Sequence, residues 1–335
     1  MSWRGSRKLS GLARMTTYTN LAAPQDLSRI DPALRAAAAD LDVLEFDSAT
    51  LQVERDRLNH TSATRAAAVD ATGVDIASEA ITGPTGQPLR VRTYRRAAKP
   101  GAFPIVVYAH GGGFVTGNLD TDHAHCVELA RATDCVIVSV DYRLASEHPG
   151  PAALDDIDAA FEYAVAAADQ LNADRSRIAL MGRDAGAALV AGLAQRVFDA
   201  EGPKIRLQIL HEPMLDPDST RSRREFARAP GLNGRAMDRG WAHYLADTAV
   251  SGHAVPAYRP NLEGLPPAFI SCAEIDPCRD EAVDYAHRLL HAYVHTELHL
   301  FAAAFHGFDS AAPDWAVSRE VAALHARSLR RAFSY

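Results

Sequence analysis

Ile178-Ala179-Leu180-Met181-Gly182-Arg183-Asp184-Ala185-Gly186 is the stretch whose reading decides the fold. Ile178 to Met181 is a short apolar run with strand character, and the residues from Ala185 on, through Ala187, Ala188, Leu189, Val190 and Leu193, are strong helix formers. A strand that enters a helix through G-x-x-x-G makes a sharp turn that lifts its middle residue above the end of a sheet, and the glycines let the two elements close on each other. Here the middle residue is Asp184. A carboxylate is ionised at neutral pH, with a reference pKa of about 3.9, so it attacks without needing a base. At an ester carbonyl that attack gives an anhydride at least as reactive as the ester. At a saturated carbon bearing a leaving group or a strained ring it gives a stable ester. The structural alternative is an acidic residue favoured by the helix dipole by roughly 0.3–1 kcal/mol and held inert by surrounding amides.

Outward from this turn, Ile105–Tyr108 and Cys135–Val140 are continuous apolar and β-branched runs of the kind buried on both faces of a sheet. Arg206–Leu210, Ala268–Ser271 and Glu297–Phe301 continue the series, with helices expected at His123–Thr133, Pro151–Asp169, Asp184–Phe198 and Arg279–His291. This alternation predicts an α/β fold, a mostly parallel central sheet flanked by helices, with its core in residues 71–215 and 257–335. Two regions stand outside it. Residues 15–70 carry helical patterns at Pro32–Leu41 and Ser48–Asn59, and residues 216–256 form a polar and aromatic insertion with Trp241, His243 and Tyr244. Residues 1–14 are expected to be disordered or to precede the true start at Met15.

The 335 residues can bury a large core, and a hydrophobic fraction of 47% with 23% charged residues is ordinary for a globular chain. A net charge of −7 gives no basic footprint for nucleic acid or an anionic membrane. Cys126, Cys135, Cys272 and Cys278 make no C-x-x-C pair and read as reduced core thiols. Arg4, Arg7, Lys8 and Arg14 are followed by no apolar run, so neither a secretory signal nor a membrane span is read and a cytoplasmic location is expected. His287, His291, His295 and His299 suggest a metal site by number, but the stretch lacks a flanking set of acidic ligands, and no metal or cofactor is expected.

Five segments carry a resemblance. They are Tyr108-Ala109-His110-Gly111-Gly112-Gly113-Phe114, Asp141-Tyr142-Arg143-Leu144-Ala145-Ser146-Glu147-His148-Pro149, Gly182 to Gly186, Glu274-Ile275-Asp276-Pro277 and Phe305-His306-Gly307-Phe308. In this order, from about Leu89 to the C-terminus, the chain resembles the hormone-sensitive-lipase-like branch of the α/β hydrolases, the bacterial carboxylesterase group. The resemblance implies an α/β-hydrolase fold and an oxyanion hole built from the N–H groups of Gly112, Gly113 and Ala185. It also implies a histidine, His306, oriented by Asp276; a helical cap formed by the two outlying regions; and, as a possibility, a homodimer. Asp184 stands where that pattern has its serine. Arg183 replaces an acidic residue, Glu212-Pro213 replaces Tyr-Pro, and Ser146 replaces a proline. His110, Glu212, Arg183 and Tyr244 are possible accessory residues of the site, whereas Glu147 and His148 read as structural.

Three function classes follow. The first is hydrolysis of a small organic substrate through a covalent aspartyl ester, with an Asp184–His306–Asp276 triad and an epoxide as the favoured substrate. A haloalkane is disfavoured, because dehalogenases of this fold place tryptophan after the nucleophile and this chain has Ala185. In that scheme Tyr244, Tyr258 or Tyr18 protonates the leaving oxygen. The second class is a lyase, isomerase or cyclase using Asp184 or His306 as a general base, and the third is a binding protein without turnover. If Asp184 replaces a native serine, the parent is a carboxylesterase.

Overall fold

The chain is described by a computed structural model covering residues 27–97, 101–246 and 253–334. The readings of residues 1–14 and of Tyr18 therefore lie outside the described residues. One sheet contains β1 (Val74–Thr82), β2 (Pro88–Arg96), β3 (Phe103–Ala109), β4 (Val136–Val140), β5 (Ala173–Arg183), β6 (Ile205–His211), β7 (Ala268–Ile275) and β8 (Thr296–Phe305), in the order β1-β2-β4-β3-β5-β6-β7-β8. From β3 to β8 every pairing is parallel, while β2 runs antiparallel to both β1 and β4. The alternation read from the sequence begins at Leu89 and does not include β1. That strand lies at the sheet edge with most of its residues exposed, so it carries no apolar run.

The helices are α1 (Arg35–Ala39), α2 (Leu51–Ala67), α3 (His123–Thr133), α4 (Ala152–Ala166), α5 (Ala185–Asp199), α6 (Arg221–Glu225), α7 (Gly234–Leu245), α8 (Arg279–His291), α9 (Phe308–Ala311) and α10 (Ala316–Phe333). The expected helices at His123–Thr133 and Arg279–His291 form as read. Pro151–Asp169 shortens to α4, and Ser48–Asn59 becomes the longer α2. Pro32–Leu41 resolves into a 3₁₀ turn, Pro32–Leu34, followed by α1; Asp31 caps the turn by accepting the Ala33 N–H at 2.8 Å.

Along β3 the side chains alternate between two apolar layers. Ile105, Val107 and Ala109 enter the layer with α4 and α5, and Val106 and Tyr108 enter the layer with α3 and α10. Burial on both faces explains why this strand reads as an unbroken apolar run.

The turn after β5 needs its glycines. A Cβ on Gly186 would lie 2.2 Å from Ala109 O, and one on Gly182 would lie 2.3 Å from Gly186 O. Asp184 takes φ +53° and ψ −122° between them, a strained geometry for a residue with a side chain.

The two outlying regions pack together over the ends of the parallel strands. Val43 bridges Gly231, the Asn233 side chain donates to Leu44 O at 2.8 Å and caps α7, and Arg239 pairs with Glu45 at 2.6 Å. Helix α7 in turn sits on the glycine loop after β3: a Cβ on Gly240 would stand 2.5 Å from Gly113 O.

Gly186→Ala is expected to destabilise the fold by about 1–3 kcal/mol, because its neighbours are backbone atoms that cannot yield cheaply. A thermal or urea melt checks this, and an unchanged midpoint contradicts the close approach.

Candidate active site

Backbone contacts set the position of Asp184. Its N–H donates to His211 O at 2.9 Å, and its carbonyl accepts from Met214 N at 3.2 Å, so β6 holds the turn open. The loop after β3 then reaches the side chain. Gly112 N and Gly113 N each donate to Asp184 Oδ2 at 2.8 Å. These glycines are required: Gly112 lies at φ +130° and Gly113 at φ +58°, and a Cβ would meet Thr116 O at 2.2 Å in the first case and the Phe46 ring at 2.4 Å in the second. Ala185, expected as a third donor, opens α5 and gives Oδ2 no hydrogen bond. Asp184 Oδ1 is buried and has no hydrogen-bond partner. One oxygen of the carboxylate is anchored by two amides, and the other is buried without a hydrogen-bond partner.

His306 and Asp276 come together as expected. They directly follow β8 and β7, and the His306 Nδ1–H donates to Asp276 Oδ1 at 3.0 Å. Asp276 is fully buried and also accepts the Cys278 N–H at 2.8 Å. Burial would push the Asp276 carboxyl up, but the His306 charge and these hydrogen bonds hold it below the usual range. For His306, burial works downward and is outweighed by the charges of Asp276 and Glu212, the Asp276 hydrogen bond and the charge of Asp184, which raise it to about 10. These charges favour the imidazolium form of the ring. Burial raises Asp184 above its ordinary value, against the stabilising His306 charge and the two glycine amides.

The accessory residues divide. Arg183 is buried and bonds Asp309, donates to Ser310 Oγ at 2.7 Å, and lies 3.6 Å from Asp122 and 3.8 Å from Glu212. Glu212 accepts the Gly307 N–H and lies 3.9 Å from His306 Nε2. His110 stands behind the glycine loop, stacked on Tyr142 at 4.2 Å, with its Nδ1 2.7 Å from Gly111 O; burial lowers its pKa. Tyr244 is packed behind the glycine loop. It stacks on Phe114 at 4.2 Å, its ring abuts Gly150, and its buried hydroxyl, which has no partner, lies in the field of Arg196 and Asp155. Tyr258 is 44% exposed and is no better placed for a covered site. Glu147 is structural as expected, forming a two-pronged pair with Arg55.

Sequence reasoning missed Asp122, which accepts the Gly111 N–H at 3.2 Å, and Asp309, which balances Arg183. Asp309 sits three residues after His306 at the start of a short helix, where an acid has an ordinary capping explanation. A cavity of about 410 Å³ opens between α2, α7 and the Ser146–Pro149 turn, lined by Gln52, Arg55, Glu147 and His243 among others, and none of Gly112, Gly113, Asp184 and His306 is among its lining residues.

Residues 106–310 match the α/β-hydrolase fold family. The chain belongs to that family. Esterase LipI of Mycobacterium tuberculosis is 40% identical over 235 residues, covering 68% of this chain and 73% of the relative. Carboxylesterase NlhH of the same species is 39% identical over 224 residues, 65% of this chain and 70% of the relative. Among solved structures, esterase LipW from Mycobacterium marinum superposes with a TM-score of 0.88 at 46% identity, covering 92% of this chain and 98% of that one. A bacterial heroin esterase gives 0.87 at 34% identity, covering 91% and 98%. This α/β hydrolase is thus an esterase-like hydrolase in its fold and its relatives, and no helix among the described residues is long and apolar enough to cross a membrane.

The His306 shift has a thermodynamic sign. Its folded value lies above the ordinary 6.5, so the stability it contributes is complete below pH 6.5 and is lost as pH rises toward about 10. Thermal midpoints measured from pH 6 to 10 should fall, and fall less in His306→Gln. Equal falls in the two chains contradict a charged His306.

Proposed function

We propose that this chain is a hydrolase on the carboxylesterase scaffold that acts on a small uncharged organic molecule by covalent catalysis at Asp184, with an epoxide as the favoured substrate. The observation that carries this reading is the division of labour within one carboxylate: Oδ2 fills the hole formed by Gly112 and Gly113 while Oδ1 is left without a partner. A hole filled by the enzyme's own oxygen has no place for an ester carbonyl, so acyl transfer of the serine type is blocked. Displacement at saturated carbon needs only the free oxygen.

The proton inventory fits. Oδ1 attacks a ring carbon, the ring C–O bond breaks, and the alkoxide takes a proton from His306, which starts as an acid. Neutral His306 then accepts a proton from water as hydroxide adds to the Asp184 carboxyl carbon. The charge formed on Oδ2 meets the two amides already pointing at it. Collapse breaks the bond to Oδ1, which leaves with the product. The departing alkoxide takes the proton of the added hydroxyl, so His306 ends charged and Asp184 ionised. No tyrosine is needed as the acid.

A second reading, a carboxylesterase, is favoured by the names of the relatives and by the retained Asp276–His306 pair. It requires Oδ2 to leave the hole and His306 to serve as a base. Three further expectations accompany both readings. Four free, buried cysteines support a reducing, cytoplasmic compartment; the acidic net charge supports a small-molecule partner rather than nucleic acid; and the edge strand β8, with Leu298 and Leu300 exposed, supports pairing with a second copy.

A single turnover of candidate epoxides in ¹⁸O-water tests the covalent step. Label in the Asp184 peptide is expected, and label in product alone contradicts it. The pH profile separates the readings. A His306 acid predicts activity that is flat near neutrality and lost as pH rises through about 10, whereas a His306 base predicts activity that appears over that range. Asp184→Ser empties the hole and should raise nitrophenyl-ester hydrolysis by at least about 10³-fold, part of the roughly 10⁶ that a triad nucleophile contributes.

A further inference from the structure

Glu212 is wholly buried at the end of β6 and holds a left-handed φ of +49°, yet none of the steps above uses it. Its own N–H donates to Ser271 O at 2.6 Å. Its two carboxylate oxygens share the Gly307 N–H at 3.0 and 2.9 Å, which ties it to the residue directly after His306. Oε2 also stands 3.9 Å from His306 Nε2, while Asp276 meets Nδ1 of the same ring at 3.0 Å. We propose that Glu212 is a positioning residue, a second carboxylate partner that fixes the His306 ring from its Nε2 side and, with Asp276, keeps it doubly protonated.

The surroundings favour this assignment. Three carboxylates face His306: Asp276 from β7, Glu212 from β6 and Asp184 from the turn after β5. A neutral imidazole would turn a lone pair toward one of them, whereas an imidazolium gives each ring nitrogen a proton to present. Glu212 in turn faces His211 Nε2 at 3.7 Å and the Arg183 guanidinium at 3.8 Å, while Asp309 and Asp122 hold Arg183 from behind. Arg183 and Glu212 are two of the positions at which the sequence departs from the pattern it resembles, and here they lie within reach of each other. Burial raises the Glu212 carboxyl above its ordinary value, and the charges of His306, His211 and Arg183 work against that rise.

This inference deepens the acid-first role given to His306, but its test involves no substrate and so stands apart from the covalent reading. The probe is ¹⁵N-histidine incorporated in the full chain, with the His306 signals identified among the 14 histidines by their loss in His306→Gln. In the unaltered chain both ring nitrogens should be protonated at about pH 8, and Glu212→Gln should lower the His306 midpoint by one pH unit or more. A neutral ring at about pH 8 overturns the proposal, as does a folded Glu212→Gln chain in which the midpoint does not move. Should Glu212→Gln not fold, Glu212→Asp decides in its place: it keeps the charge, withdraws it by one methylene, and is expected to lower the midpoint by a smaller amount, no shift again overturning the assignment.

Discussion

Two backbone N–H groups at the head of the sheet, those of Gly112 and Gly113, converge on one point, and the chain satisfies them with its own Asp184 Oδ2 at 2.8 Å. Much of the site follows from that contact. Buried donors left unpaired cost about 1–3 kcal/mol each, so that demand holds the carboxylate there. Its charge adds to those of Asp276 and Glu212, and together they outweigh burial and raise the His306 pKa. Arg183, bonded to Asp309 and Ser310, places a balancing positive charge one residue before Asp184. Arg183, Asp184, Glu212 and Asp309 thus form one connected electrostatic arrangement.

The cap is part of the same construction. Phe46 closes against Gly113, Met237 on α7 meets Cys278 two residues after Asp276, and Gly240 permits α7 to rest on the glycine loop. A shift of α7 or of Phe46 therefore bears directly on the two amides.

The parts of this architecture that were legible in sequence are those where geometry leaves a local mark. Gly182 and Gly186 mark a close approach of backbone, Gly112 and Gly113 mark left-handed φ, and the apolar run of β3 marks burial on both faces. His306 and Asp276 were readable because each follows a strand end in a recognisable motif. The partnership of Arg183 with Asp309 was not, since it joins residues 126 positions apart and each alone has an ordinary surface explanation. The surroundings of Tyr244 are illegible for a related reason: residue type suggests an acid, but its stacking on Phe114 is set by tertiary packing that no local pattern encodes. Strand β1 escaped because an exposed edge strand lacks apolar periodicity.

The amide protons of Gly112 and Gly113 report most directly on the contact at the centre of this account. In the unaltered chain their NMR signals should lie far downfield, as expected for donors to a carboxylate, and should return to ordinary amide positions in Asp184→Ala. Signals that are ordinary from the outset, or that do not move when the Asp184 side chain is removed, would contradict the account.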